Sequence, residues 1–272
     1  MDARRTGYYE WLRRREERPQ RVRMDEVLTA KIENAFYESK RIYGARKIQA
    51  LLRRENYNVG RRRARRLMVS AGLVPVTYKR HVATTDSRFS MLKYGNLLLL
   101  KKKELIELGK IWVSGMTYIR TDEGWLYLCT VMDLCSRRII GWETSDKIDR
   151  YLAMNALNNA VATKKPKHGA VFHSDRGCQY ASSDFGSLVW RLGMRQSMSA
   201  PGKPGENAYA ESFFRSVKVE CTDLYSFATR DHARSVIAEY ILNYNRVRIH
   251  ASLGNHSPIE FESTLLDAGM IA

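Results

Sequence analysis

The sequence predicts an α/β protein in which helices flank a mixed sheet, with a small all-α module in front of it. The chain has 272 residues, is 44% hydrophobic and contains 5 Trp, 15 Tyr and 8 Phe. That content can fill a core and is far too aromatic for a disordered tail. The first quarter of the chain has helical periodicity, whereas the middle has three β-rich runs followed by alternating helical and β-rich segments.

The first 76 residues predict helices only. Residues 1–24 form an arginine-rich basic segment, with a short helix expected around Tyr8–Arg15 and an end at Pro19. Residues 25–76 contain three helical runs separated by turns, which predicts a helix-turn-helix-like DNA-binding domain. The third run, Arg61–Ala71, is followed by a glycine suited to a helix C-cap.

Residues 77–109 predict a linker with one short helix, because turn-forming residues precede an apolar run and a charge run. Three strands should follow, at Lys110–Ile119, Trp125–Met132 and Arg137–Trp142, and the short turns between them predict an antiparallel meander.

The alternation after the meander predicts helices packed on the sheet. A helix is expected over Arg150–Thr163, followed by a short buried strand at Ala170–His173 that should lie parallel to an earlier strand. Further helices are expected over Ser183–Leu192, Ala208–Lys218 and Asp231–Asn245.

Positive charge is concentrated at the front of the chain, whose formal net charge is +17. Residues 1–80 hold 22 Lys+Arg and 9 Asp+Glu, a net +13, and the remaining 192 residues hold 24 and 20, a net +4. This asymmetry favours a nucleic-acid partner over a merely soluble basic surface. Four arginines of the third helix should point outward and contact phosphates, since five arginines on one helix would otherwise repel each other. They are Arg61, Arg62, Arg65 and Arg66.

The sequence argues against a membrane or an exported protein. No apolar run approaches the roughly 18–20 residues needed to cross a bilayer, and no apolar stretch follows the charged N-terminus, so a cytoplasmic location is expected. The four cysteines form no CxxC pair and have no zinc-ligand spacing, which predicts reduced thiols mostly in the core.

Two carboxylates lie where rigid elements should hold them. Asp175 follows the predicted strand at Ala170–His173, and Glu211 lies on an amphipathic helix in one stripe with Arg215 and Lys218. A carboxylate beside basic residues suits a metal site against a phosphate backbone. Taken alone, either acid is more often half of a structural ion pair than a catalytic group.

The motifs around these acids resemble a known family. HSDRGCQY around Asp175, 35 intervening residues and then AESFF around Glu211 resemble the last two members of a DDE triad. The segment Asn243–His250, followed by Ser252-Leu-Gly254 and Ser257-Pro258, resembles the terminal YN-R-H-LG-SP signature of the same family. Over roughly residues 25–265 the chain resembles bacterial insertion-sequence transposases of the retroviral-integrase superfamily, in particular the second-frame (OrfB-type) product.

The resemblance implies a ribonuclease-H-like, mixed five-stranded sheet in a catalytic core over residues 110–265. It implies that Asp175 and Glu211 are catalytic ligands of two Mg²⁺ (or Mn²⁺) ions and that Arg215 and Lys218 face transposon-end DNA. Asn207 and His173 would support the site, although a purely structural role for His173 stays open. The implied partners are the terminal repeats, target DNA, a first-frame (OrfA-type) protein and further copies of the chain on DNA, in a nucleoid-associated cytoplasmic protein.

The chain departs from the family at the first carboxylate. The family reads W-V-x-D-x-T-Y, whereas this sequence has Gly115 at the Asp position between Trp112 and Tyr118. Neither Asp133, at the end of the second strand, nor Asp122, in a turn, is a convincing substitute. We therefore expect DNA binding with poor strand cleavage and transfer. The alternatives are a catalytically dead DNA-binding remnant, through decay or a deliberate Asp-to-Gly change, and a metal-dependent nuclease of the same fold.

Overall fold

The computed structural model describes residues 5–76, 94–98, 107–200 and 203–267. The chain divides into two compact units, residues 1–77 and 78–272. Among the described residues, no helix combines the length and the apolar character that a membrane crossing requires.

The first unit contains three helices: α1 (Arg5–Glu38), α2 (Ala45–Arg54) and α3 (Arg61–Ser70). Each contributes apolar residues at helical spacing to one small core, because positions three and four apart share a helix face. The buried core residues of these helices are Leu28, Ile32, Phe36, Ile48, Leu52, Ala64, Leu67 and Met68. Gly72, with φ of +68°, follows α3 and allows the chain to turn there.

The expected helix end at Pro19 is wrong. Helix α1 runs without interruption from Arg5 to Glu38, across both Pro19 and the predicted boundary between residues 24 and 25. A proline removes one backbone donor and costs roughly 3 kcal/mol inside a helix, but it does not forbid continuation. The C-terminal part of α1 is anchored by its buried face, and the helix extends N-terminally from that anchor.

The second unit is built on a five-stranded mixed sheet with strand order β3-β2-β1-β4-β5. The first three strands form an antiparallel meander, and β4 and β5 continue the sheet in parallel with β1. The strands are β1 (Ile111–Thr121), β2 (Gly124–Asp133), β3 (Ile139–Ser145), β4 (Val171–Ser174) and β5 (Arg195–Met198).

Helices cover both faces of this sheet and create two cores. On one face, α4 (Arg150–Thr163) and α5 (Ser183–Arg191) pack over a core that includes Trp112 and Phe172. On the other, α6 (Ala208–Glu220) and α7 (Arg230–Arg246) pack over a core that includes Val113 and Phe213. A last helix, α8 (Pro258–Asp267), ends the described chain.

The architecture confirms the predicted α/β class, the meander and the parallel fourth strand. The expected start of the third strand at Arg137 is wrong, because Arg137 has φ of +62°, a left-handed conformation outside the β region. The short helix expected within 77–109 falls outside the described residues.

The periodicity of the sequence does not predict two elements of the second unit. Strand β5 reads Arg-Gln-Ser-Met and has no hydrophobic alternation. Helix α8 does carry a signal of another kind: Ser257 and Glu260 form a reciprocal capping box, in which the Ser257 N–H donates to Glu260 at 2.8 Å and the Glu260 N–H donates to Ser257 Oγ at 3.3 Å.

Candidate active site

The sheet directs position 115 and Asp175 to the same end of two neighbouring strands. Strands β1 and β4 are parallel, and Val113 is paired with His173. Gly115 and Asp175 each lie two residues further along the chain, so both follow this pair toward the same end of the sheet. The parallel pairing of β1 and β4 therefore directs the two predicted positions to one end of the sheet.

Position 115 also faces the helix that carries Glu211. A β-carbon built on Gly115 would lie 2.8 Å from Cε2 of Phe214 and 3.4 Å from Cβ of Ala210. Ala210 precedes Glu211 on α6, and Phe214 follows it by three residues, nearly one turn. Position 115 therefore packs against the turn of α6 that carries Glu211, and an aromatic ring occupies the space beside it.

Asn207 fastens the start of α6 to the first strand. The buried Asn207 side chain donates from Nδ2 to the carbonyl oxygen of Ser114 at 2.8 Å, one residue before Gly115. Its Oδ1 is buried without a hydrogen-bond partner among the described residues. This tether fixes the distance between β1 and the Glu211 turn.

Asp175 is held by its own loop. Its Oδ1 accepts a hydrogen bond from the Gly177 N–H at 3.0 Å. Burial raises the pKa of the Asp175 carboxyl above its usual range, and the Gly177 hydrogen bond offsets only part of that rise. A β-carbon at Gly177 would come within 2.7 Å of Gln179 Oε1 and 3.2 Å of Asp175 Oδ1, so a larger residue there would require the Gln179 side chain to move.

The His173 side chain is a structural support of the site and does not extend into it. Its ring is fully buried, with Nδ1 at 2.8 Å from Ser197 Oγ and Nε2 at 3.2 Å from Ser199 Oγ. Burial lowers the pKa of His173 to about 4, so the imidazole is neutral at physiological pH. Because both nitrogens are engaged, His173 ties β4 to β5 and cannot ligate a metal in this arrangement.

The other predicted residues of α6 line the solvent side of the helix. Glu211 and Arg215 are exposed, and Lys218 is half-buried with its Nζ 4.9 Å from the centre of the Tyr118 ring. These three side chains follow each other at spacings of four and three residues, which places them on one stripe. The stripe offers an acid and two bases to the same approaching molecule.

The four predicted arginines of α3 are all exposed: Arg61, Arg62, Arg65 and Arg66. One of them has a partner that the sequence interpretation missed. The Asp25 carboxylate of α1 lies 2.7 Å from Nη2 of Arg66 and 2.7 Å from Nε of Arg63. One carboxylate thus contacts two of the five arginines and offsets one of their five positive charges, so most of the repulsion along α3 remains.

The acidic residues present do not fit a two-ion site. The family resemblance leads one to expect a carboxylate at position 115, and this chain has a glycine there, which offers no ligand to a metal ion. The described residues contain no group of three or more His, Cys, Asp or Glu side chains that could hold a metal ion. Asp133 is no substitute, because it is fully buried and paired with Lys164 at 3.0 Å.

Comparisons with known families agree with this geometry. Two family models, both described as Integrase core domain, match residues 107–204 and 192–258. A third, described as HTH-like domain, matches residues 23–81. The fold and these matches define the class: the DDE transposases and integrases, which are polynucleotidyl transferases.

Relatives that match nearly the whole chain identify the family within this class. The chain is 37% identical over 270 residues to Transposase InsF for insertion sequence IS3A of Escherichia coli (strain K12), covering 95% of this chain and 90% of the relative. It is 36% identical over 258 residues to the Insertion element IS600 uncharacterized 31 kDa protein of Shigella sonnei, covering 94% of each. The chain belongs to the IS3 family of insertion-sequence transposases.

A solved structure shows the same fold at low sequence identity. The simian T-cell lymphotropic virus intasome, solved by cryoEM in complex with PP2A regulatory subunit B56 gamma, contains a chain that superposes with a TM-score of 0.51 at 14% identity. The match covers 78% of this chain and 69% of that one. It confirms the expected ribonuclease-H-like sheet.

Proposed function

We propose that this member of the family binds DNA at transposon ends but cleaves and transfers strands poorly, because Gly115 replaces the first catalytic carboxylate. The observation that carries the proposal is the contact between position 115 and Phe214: the place of a ligand side chain is occupied by a ring edge, 2.8 Å from where a β-carbon would be. Asp175 and Glu211 are the remaining catalytic and metal-ligating residues in this proposal.

DNA binding is supported by charge and exposure at two places. Arg61, Arg62 and Arg65 project from α3, the second helix of the α2–turn–α3 pair, where a recognition helix lies in helix-turn-helix proteins. On α6, Arg215 and Lys218 share a stripe with Glu211, so they would contact the phosphates next to the scissile one. The family resemblance makes this DNA the terminal repeats and the target.

The domain limits and the further partners are part of the same proposal. We place the DNA-binding domain at residues 25–76, a linker at 77–109 and the catalytic core at 110–265. The kinship with second-frame products supports a first-frame protein as partner, and the need to pair two transposon ends supports a homo-oligomer on DNA. A nucleoid-associated, cytoplasmic location follows from that role.

The decisive test is strand cleavage and joining on an oligonucleotide that carries the terminal repeat of the element, in Mg²⁺. The natural chain is compared with Gly115→Asp, and with Gly115→Asn, which has nearly the same size but no charge. We expect the Asp variant alone to gain cleavage and joining. Robust activity of the natural chain, equal to that of the Asp variant, would contradict the proposal.

One alternative is favoured by a specific observation. Since the ring of Phe214 fills the site, a chain without any cleavage, acting only as a DNA-binding remnant, agrees with the same geometry. It is distinguished by the absence of cleavage products at high enzyme concentration. A simple nuclease would instead yield cleaved but never joined products in the same assay.

A further inference from the structure

A cavity of about 230 Å³ lies beside α6, next to the candidate active site. It opens between the end of β2, one side of α6 and the segment that follows α7. Six of its lining residues bear on its chemistry: Arg137, Tyr209, Ser212, Ser216, Arg248 and His250. These lining side chains offer hydrogen-bond donors and positive charge, and none of the ten lining residues is Asp or Glu.

The cavity contains one guanidinium with an unused donor. The Arg137 guanidinium stacks on the Tyr209 ring, with its carbon 3.8 Å from the ring centre. Its Nη1 is buried and has no hydrogen-bond partner among the described residues. Leaving a buried donor unmet costs roughly 1–3 kcal/mol, and more for a charged group.

The second arginine of the cavity is already satisfied. Arg248 donates from Nη2 and Nε to the Glu220 carboxylate at 2.6 and 2.7 Å, and from Nη2 to Ser216 Oγ at 3.2 Å. Its charge is therefore compensated, and the uncompensated charge of the cavity is that of Arg137. The backbone at Arg137 has φ of +62°, which turns the residue away from the path of a strand.

Helix α6 connects the cavity with the catalytic stripe. Tyr209, Ser212 and Ser216 recur at spacings of three and four residues, on the side of the helix next to the stripe that carries Glu211. Ser212 follows Glu211 directly, about 100° further around the helix, and its side chain is exposed. A strand bound at Glu211 would therefore pass the mouth of the cavity.

We infer that this cavity binds a backbone phosphate of DNA adjacent to the one at the catalytic acids, with Arg137 as its principal ligand and Ser212 as a second donor. The inference rests on the proposed DNA-binding function and extends it to a defined subsite. A planar guanidinium with free donors matches phosphate oxygens. The volume is below the roughly 300–1,000 Å³ of sites for small molecules and cofactors, so a single phosphate with its sugar edge fits better than a free nucleotide.

The test measures binding of the full chain to a fluorescein-labelled duplex that carries the terminal repeat, in EDTA, over a series of salt concentrations. Arg137→Gln removes the charge and keeps the length of the side chain. Its matched control is Arg191→Gln, an exposed arginine at the end of α5 on the opposite face of the sheet. We expect Arg137→Gln to bind at least about fivefold more weakly and to lower the salt slope by about 0.9, and Arg191→Gln to behave as the natural chain.

A second pair of variants covers the case in which Arg137→Gln does not fold, which its thermal unfolding reveals. Ser212→Asp places a negative charge at the exposed mouth of the cavity, and Ser235→Asp makes the same change at an exposed position early in α7. We expect weaker DNA binding from Ser212→Asp only.

Two negative results have different meanings. If the natural chain binds DNA and an Arg61→Gln/Arg65→Gln double variant weakens that binding, while Arg137→Gln and Ser212→Asp match their controls, the phosphate subsite is overturned and the proposed function stands. If the natural chain has no salt-dependent affinity for the duplex, the proposed function fails, and the subsite fails with it.

Discussion

The Asp25 carboxylate accepts a hydrogen bond from Arg63 at 2.7 Å, joining the first and third helices of the N-terminal unit. The same carboxylate is 2.7 Å from Arg66, through its other oxygen. One acid thus holds two arginines of α3 against α1 and leaves Arg61, Arg62 and Arg65 as the part of the basic helix directed to solvent. Two arginines of α3 consequently stabilise the packing of the helices, and the other three are available to bind DNA.

Asp25→Asn separates these two roles. We expect the free energy of unfolding to fall by roughly 0.5–1 kcal/mol, because the pairs are partly solvated. We expect DNA affinity at low salt to rise and its salt dependence to steepen, since two more charges become available to phosphates. Thermal unfolding and fluorescence anisotropy across a salt series measure the two effects.

The matched control for Asp25 is its neighbour Glu26, which is exposed on the same helix. Glu26→Gln makes the same change in net charge without removing a partner of α3. If both variants raise DNA affinity equally, the effect is one of net charge and the division of roles at Asp25 is incorrect.

Gly115→Asp tests whether Phe214 restricts the space for a side chain at position 115. The ring of Phe214 must move to admit the new side chain, so we expect both Gly115→Asp and Gly115→Asn to lose roughly 1–3 kcal/mol of stability in EDTA. Adding Mg²⁺ should raise the melting temperature of the Asp variant only, because an ion that binds the folded state alone stabilises it. Differential scanning fluorimetry with and without Mg²⁺ measures both responses.

An equal Mg²⁺ response of the Asp and Asn variants would show that the third carboxylate does not complete an ion site. A melting temperature in EDTA that is unchanged in both variants would show that Phe214 does not constrain position 115.

Glu262 makes the stability of the second unit depend on acid. From α8 it accepts hydrogen bonds from Ser136 at 2.7 Å, Arg138 at 2.7 Å and Lys164 at 2.9 Å. Burial alone would raise its pKa, but Lys164 and Arg138 hold the pKa of Glu262 below its usual value of 4.5. A lowered pKa stabilises the fold above that usual value, and this contribution is lost as the pH falls through the folded-state pKa.

We therefore expect the natural chain to lose stability below about pH 4.5 more steeply than Glu262→Gln does. At pH 7 the variant should be less stable by roughly 1–3 kcal/mol, because it loses the carboxylate that accepts from Ser136, Arg138 and Lys164, although Lys164 keeps Asp133 as a partner. Urea unfolding across a pH series measures both quantities. The control is Asp146→Asn, at an exposed position between β3 and α4, whose stability should depend on pH as that of the natural chain does. Parallel pH profiles of stability for Glu262→Gln and the natural chain would refute the role of Glu262.

Cys178 should be the one thiol that reacts in the folded protein. It is exposed, whereas Cys129, Cys135 and Cys221 are buried. Burial also raises the pKa of Cys129 and of Cys135 to about 11, so these two hold almost no thiolate at neutral pH. Alkylation with iodoacetamide followed by peptide mapping should label Cys178 alone, and all four thiols in denaturant. Labelling of Cys129 in the native chain would contradict the packing of the sheet.

The order of strands and helices could be predicted because each buried element carries its own pattern. Strand β1, helix α4 and helix α7 all begin and end within two residues of their expected limits. The short strand β5 could not be found by periodicity, since its four residues gain their place only from pairing with β4. The contacts of Asp25 with Arg63 and Arg66 could not be predicted either, because they join residues 38 and 41 positions apart in the sequence.

The candidate site was visible in the sequence as motifs, but its contacts were not. The spacing of Asp175 and Glu211 and the glycine at 115 could be read directly. That Phe214 lies against position 115, or that Arg137 turns out of the sheet with an unmet donor, depends on packing between segments distant in the chain.

The contact between Gly115 and Phe214 also bears on how such a chain evolves. A glycine codon can become an aspartate codon through a single base change, so recovery of the lost ligand is genetically near. The aromatic ring of Phe214 makes this substitution costly in folding free energy, because the new side chain must displace a packed ring before it can bind an ion. Under the proposed function, a return from glycine to aspartate at position 115 therefore has to be accompanied by repacking of Phe214.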